Sequence, residues 1–444
     1  MNPNRFVRSM AIATVAAVVF AACGTSTATV APSAGATSGP VDPSADARQV
    51  ELSYANWFYQ GSMEAVWNEY IESYKAKEPR VTNIRVETQP FTRYNDVLNV
   101  QLAAGDPPDV SWINASVGPQ YVTSGRLVDL TPYIPADYDL EDFGSALDPW
   151  THDGKLYALP FTNANNVLYF NKDLFAAAGL KTPIELQAEG NWTWETLKET
   201  SRQLVEAGVA EFGFHLNGNI FTQGWRNLVD VWAPYGGGPW SADGRECRFN
   251  APETVEATQL VWDMIYTDKS HPGPAVVADF AAGNVGMALA RQNFVPRLAD
   301  VPFGWDVTVA PDGPLGYVTT RAQNAVAAFA DAENPDLAAG FVVHAMSAEN
   351  AVKFGANTPA VRKSLQTLDL LEQFNPNFTR EQLERAMVPS LNADQFQMEY
   401  THTNYAAAEK ASILVFDSQL WKPDADVKAA LDQACNDVAP FMNP

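Results

Sequence analysis

From residue 50 onward the chain switches repeatedly between two hydrophobic periods, and this alternation restricts the possible folds more than any other feature. Residues 50–55 form a β-rich run. Met63, Val66, Trp67, Tyr70, Ile71 and Tyr74 follow at spacings of three and four, which puts them on one face of a helix that must end before Pro79. Residues 84–88 read as a second strand, Tyr94, Val97, Leu98 and Leu102 as a second amphipathic helix, and residues 109–113 as a third strand. Strands that alternate with helices predict an α/β fold with parallel sheets and helices on both faces. In such sheets ligands sit beyond the carboxyl ends of the strands, where the connecting loops converge. Asn250-Ala-Pro-Glu253 predicts a capping-box start to a helix running towards Tyr266, and Asn334-Pro335 puts an N-cap before a proline at the first helical position. The chain shows no internal repeat and no heptad run.

The first 48 residues follow neither period. Arg5 and Arg8 precede an apolar run over residues 10–20, and the chain then reads Phe20-Ala21-Ala22-Cys23, the order of an export signal. That run is too short for a permanent membrane span. Small residues directly before a cysteine resemble the lipobox of bacterial lipoproteins, which implies removal of residues 1–22 and acylation of Cys23. At about 0.8 kcal/mol per buried methylene, two or three acyl chains would hold the protein stably at a membrane. Ordinary cleavage with free secretion is the alternative. Residues 24–48 are almost wholly Ser, Thr, Ala, Gly, Pro and Val with no aromatic side chain, so residues 23–49 are expected to form a flexible tether.

Roughly 395 residues remain, more than one core usually organises, which points to two domains. A hydrophobic content of 46% supports a globular body. With a net charge of -23 and no basic cluster, nucleic acid is excluded as a natural partner. Beyond Cys23 the sequence has Cys247 and Cys435, which outside the cytoplasm can pair or stay as two buried thiols. No nucleophile elbow, phosphate loop, dinucleotide fingerprint or zinc motif occurs, and His152, His215, His271, His344 and His402 have no ligand-like spacing. No cofactor, metal or catalytic residue is expected.

Several separated segments resemble the family 1 extracellular solute-binding proteins of bacterial ABC importers. They are Gln101-Leu-Ala-Ala-Gly-Asp-Pro-Pro-Asp109-Val, Gly125-Arg-Leu-Val-Asp-Leu-Thr-Pro-Tyr133 and Asp153-Gly-Lys-Leu-Tyr-Ala-Leu-Pro160, then Leu168-Tyr-Phe-Asn171-Lys-Asp-Leu-Phe, Ala178-Gly-Leu and Trp192-Thr-Trp-Glu195. Gly283-Asn-Val-Gly-Met-Ala288 and Asn334-Pro-Asp-Leu-Ala-Ala-Gly-Phe341 resemble the family's later helices. The resemblance covers about residues 50–440 and implies a periplasmic-binding-protein type fold. Residues 50–162 with 325–372 would make the first lobe, and 163–324 with 373–444 the second. Crossovers between lobes are expected at 161–166, at 319–325 and around 370–376, and the resemblance assigns both Cys247 and Cys435 to the second lobe, where they would pair. A monomer that captures a carbohydrate between the lobes and hands it to membrane permease subunits is what the resemblance implies. A receptor for a polyol, a glycerol phosphate ester or a peptide is the nearer alternative, and an anchored glycoside hydrolase or lyase the more distant one.

A sugar presents apolar C–H faces rimmed by hydroxyls, so its site needs flat aromatic rings and side chains that both donate and accept. Trp57 and Gln60 follow the first strand, and Trp112 and Asn114 end the third. Alternation sends Asn163 and Asn165 to one side of the first crossover, where both are expected to meet the ligand. Arg321 and Asn324 lie on the second crossover, and Trp225, Trp232 and Tyr235 stand near a Gly236–Gly238 run. Arg291 and Asn293 follow the segment where relatives place ligand contacts. Where maltose-binding relatives carry an acidic residue after the third strand this chain has Ser116, so maltodextrin itself is not expected.

Overall fold

The computed structural model describes residues 48–216, 220–221, 224–241, 243–354, 360–392, 395–397 and 404–442. The expected leader, Cys23, nearly all of the expected tether and His402 lie outside the described residues. β1 (Val50–Asn56) leads into α1 (Gly61–Lys77), which buries Met63, Trp67, Tyr70, Ile71 and Tyr74 along one stripe. β2 (Val81–Thr88), α2 (Phe91–Ala104) and β3 (Val110–Asn114) follow, and Gly105, at φ 74°, closes α2 in the left-handed conformation that glycine adopts without strain. β1 pairs in parallel with both β2 and β3, as strand–helix–strand order demands. α3 (Gly118–Val122) and a small hairpin, β4 (Thr151–His152) with β5 (Lys155–Leu156), precede β6 (Leu159–Asn171).

α4 (Lys172–Ala178), α5 (Pro183–Ala188) and α6 (Trp194–Glu206) start on Asn171, Thr182 and Thr193, whose side chains accept from the first free backbone N–H groups. Next come β7 (Phe212–Leu216), α7 (Val229–Tyr235), α8 (Pro252–Tyr266), β8 (Val285–Arg291), β9 (Trp305–Thr308) and β10 (Thr319–Ala328). The chain ends with α9 (Pro335–Ala345), α10 (Ala348–Phe354), α11 (Leu368–Phe374), α12 (Arg380–Gln382), α13 (Val388–Asn392), β11 (Gln395–Gln397), α14 (Tyr405–Val415) and α15 (Val427–Met442). Pro335 takes the first position of α9 as expected. At α8 the N-cap is Ala251 without a side-chain bond, because Asn250 donates instead to Asp432 on α15, 2.8 Å away.

The strands run in the order β2-β1-β3-β10-β6-β8-β7, with β9 also on β6 and β11 also on β10. β6 changes partners along its length: its first part pairs with β10, and from Asn166 it pairs with β8 and then β9. Residues 161–166 and 319–325 thus lie in β6 and β10, which pair with each other up to Asn165 and Arg321. Residues 370–376, expected as a crossover, are mostly helical. Thr367 accepts from Leu370 N–H to start α11, and Leu371 packs with Val167, Tyr169 and Val307. The segment that joins β10 is instead β11, in parallel. A disulfide links Cys247 to Cys435, tying the segment before α8 to α15 with 5.5 Å between Cα atoms.

Candidate functional site

The registers show where two sets of strand ends meet. β3 runs parallel to β6, and its last residue, Asn114, lies opposite Asn324 of β10, which lies opposite Thr162. β8 runs the other way along β6, and its last residue, Arg291, lies opposite Asn166. The carboxyl ends of β3 and β8 therefore point at each other across residues 162–166, about 13 Å of strand at 3.3 Å per residue. Ligands of open α/β sheets bind at such ends.

Directly opposed residues of an antiparallel pair share a face, so this stretch has two chemically different sides. On one lie the pairs Asn163–Gln323 and Asn165–Arg321, all buried. Trp150 Nε1 donates to Gln323 Oε1 at 2.7 Å, and Asn165 donates to the Ser390 carbonyl, so this side is covered. On the other side lie Thr162–Asn324, Ala164–Ala322 and Asn166–Arg291, and here Ala164, Ala322, Asn324 and Arg291 are partly accessible. This second side forms the floor of the candidate site. Asn324 Nδ2 donates to Thr162 Oγ1 at 3.1 Å, and the Asn114 carboxamide oxygen accepts from Ser116 Oγ and, at 3.3 Å, from Val117 N–H. Asp230, in the first turn of α7 and only 5% exposed, accepts from Asn166 Nδ2 at 2.6 Å and from Thr320 Oγ1. Burial pushes its carboxyl above the ordinary aspartate range, against the opposing pull of the Thr320 hydroxyl, the Arg291 charge and the Asn166 amide.

The expected ligand residues divide accordingly. Asn114, Arg291 and Asn324 are brought together around the floor, whereas Asn163, Asn165 and Arg321 turn to the covered side. Trp57 lies beyond β1, half-buried and edge-on to Phe91, Tyr94 and Trp112 with ring centroids 5.6, 5.0 and 5.0 Å away. Phe91 and Phe58, which the sequence reading did not single out, are 52% and 43% exposed at the carboxyl ends of β2 and β1. Gln60 and Asn293 are exposed, at the start of α1 and just past β8. Trp112 is buried among Tyr54, Trp67 and Phe161.

Trp225, Trp232 and Tyr235 are packing residues here, not open platforms. Trp225 and Trp232 stack on each other, and their indole N–H groups donate to Ser412 and Thr258 at 3.0 and 2.9 Å, while the Tyr235 hydroxyl donates to Glu195. The glycine run that suggested a ligand loop has a local cause. Gly236, at φ 82°, ends α7, and a Cβ on Gly237 would come within 2.8 Å of the Thr254 hydroxyl. Among the described residues no group of three or more His, Cys, Asp and Glu could hold a metal ion, and no helix is long and apolar enough to cross a membrane.

The sequence model of the family described as bacterial extracellular solute-binding protein matches residues 60–352. Binding proteins of Brucella abortus and Brucella suis share 26% identity over 280 residues, 61% of this chain and 65% of theirs, so the chain spans just under two thirds of these relatives. The maltodextrin-binding protein of Bacillus subtilis (strain 168) is 26% identical over 319 residues, 68% of this chain and 72% of that protein. Among solved structures, an ABC substrate-binding protein from Listeria monocytogenes in complex with cycloalternan matches with a TM-score of 0.74 over 89% of this chain and 99% of that one, at 24% identity. That level of identity shows a common fold.

Proposed function

Because the chain belongs to the bacterial extracellular solute-binding proteins, we propose that it is the receptor of an ABC importer, that it captures a mono- or oligosaccharide without transforming it, and that it passes the sugar to a membrane permease. The observation that carries this reading is the meeting of the β3 and β8 carboxyl ends over residues 162–166. Hydroxyl and amide groups on that floor can both donate to and accept from sugar hydroxyls, and Trp57, Phe58 and Phe91 offer flat apolar rings at its edge. Relatives that bind maltodextrin and cycloalternan support the substrate class. The two lobes divide at β6 and β10, where a few residues absorb the rotation of one lobe against the other. A ligand shifts an equilibrium only by its difference in affinity between the two states, so contacts from both lobes are what drive closure. Acylated Cys23 and the tether hold the body at the outer face of the membrane.

A thermal-shift panel of maltose, maltotriose, cycloalternan, mannitol and glycerophosphocholine tests this. A sugar at 100 times its dissociation constant adds about 2.7 kcal/mol of stability, and small-angle scattering should then show a smaller radius of gyration. New reducing ends after incubation with the oligosaccharides would make the protein a hydrolase. A shift with glycerophosphocholine alone would replace the sugar by a phosphate ester. Intact mass of the exported protein decides whether Cys23 is acylated.

A further inference from the structure

We infer that Asp230 is a positioning residue that fastens the fork where the two crossover strands separate, so that α7 moves together with both. This inference rests on the closure reading above. The β6–β10 ladder ends at Asn165 and Arg321. One residue further, Asn166 already pairs with β8, and Thr320 pairs with β11. At that point the Asp230 carboxylate bridges the diverging strands, one oxygen on Asn166 and the other on Thr320, partners 64 and 90 residues away in sequence.

A carboxylate this deeply buried is costly unless its hydrogen bonds are made, and here both oxygens are committed to strands instead of to its own helix. Of the charged or titratable groups, Arg291 at the end of β8 favours its ionised form, and the Tyr317 phenol lies ahead of β10. Both prongs lead into segments assigned to the second lobe, β6 towards β8 and β10 towards β11, while the ladder behind them leads to β3, so the fork sits where the second lobe meets the crossover ribbon. A clamp hydrogen-bonded to both prongs limits the angles between them that are cheap. The apolar neighbours of Asp230 in α7, among them Val229, Val231 and Trp232, are buried in the core, so the helix cannot shift without carrying the clamp.

Hydrogen exchange on the ligand-free protein tests the clamp without needing the sugar. D230A is expected to speed exchange about tenfold or more in segments 164–167 and 319–322 and in α7 together, as losing two buried hydrogen bonds implies, and to enlarge the ligand-free radius of gyration. D230N, whose amide can accept from one prong and donate to the Thr320 oxygen, should restore most of the protection, whereas D230L, which fills the space without hydrogen bonds, should not; a purely volume-filling role predicts that both restore it. Faster exchange confined to α7, or none in either strand, overturns the inference. Should D230A fail to fold, T320V must speed exchange in β10 and α7 but not in β6, and uniform or absent change overturns it equally. Absence of ligand-induced compaction in the wild type would count against closure itself, separately from the clamp.

Discussion

His271 is buried with both ring nitrogens engaged. Nε2 accepts from Leu216 N–H at 3.1 Å, which requires the neutral ring, and Nδ1 donates to the Pro272 carbonyl at 2.8 Å. β7 ends the sheet order, and beside the imidazole the Ser270 carbonyl accepts from Gly213 and Phe214 N–H, so the pair caps the open edge of β7. Burial, with His215 nearby, lowers the imidazole from 6.5 to about 3. The unfolded chain takes up the proton near pH 6.5 while the folded chain refuses it until about pH 3, so this contribution is complete above 6.5 and is lost as pH falls from 6.5 towards 3. Urea unfolding of wild type and H271Q at pH 7, 5.5 and 4 should show a shallower pH slope for the variant, by up to about 1.4 kcal/mol per unit. Parallel slopes would rule out a buried neutral imidazole. Two aromatics separate stability from binding in the same way. W232A empties a fully buried site and should cost about 3–5 kcal/mol of stability with sugar affinity nearly unchanged. F91A, at a half-exposed ring, should lose about 0.5–1.5 kcal/mol of sugar affinity with little loss of stability; calorimetry and urea unfolding on each variant check both halves.

At the scale of elements, the β6–β10 ribbon sets the depth of the site. Ala164 and Ala322 lie directly opposite each other on the accessible side, between the Thr162–Asn324 pair and the Asn166–Thr320 fork. Small side chains there let a ligand approach the strands closely. A164L should therefore weaken sugar binding at least about tenfold while changing stability by under about 1 kcal/mol, as for a substitution outside the core; calorimetric titration at unaltered affinity would remove residue 164 from the floor. The sequence located both strands, because the segments that carried the family resemblance flank them. It could not assign their faces. Alternation groups Asn163 with Asn165, but which side is covered depends on Trp150 and Ser390, which arrive from distant segments. Asp230 was hidden for a similar reason: inside a short helix nothing local marks it as a partner of two remote strands. The tryptophans near Gly236 misled because a glycine run serves a helix end and a close approach as readily as a ligand loop. Helix α11 has only seven residues, too few for a hydrophobic period to stand out, and its one local mark is the Thr367 cap.

For the molecule as a whole, the Cys247–Cys435 bond closes a loop spanning 188 residues of sequence separation, which contains β8, β10 and the segment 368–391 that packs on β6. Cross-linking so long a loop removes much of the freedom of the unfolded chain, about 5 kcal/mol in the chain-entropy limit, with measured effects more often about 2–5. Such a bond persists in an oxidising compartment, which accords with an exported protein. Because α15 is held both by the bond and by packing of Ala430, Leu431, Ala434 and Val438 in the core, reduction should loosen the unfolded state without dismantling the native one. The double variant C247S/C435S is thus expected to bind sugar with wild-type affinity and to unfold at a lower urea concentration. The wild type with reductant should follow the variant, and without reductant should exceed it by about 2–5 kcal/mol. If oxidised wild type and double variant unfolded at the same midpoint, the bond would contribute nothing to stability, and α15 would be held by packing alone.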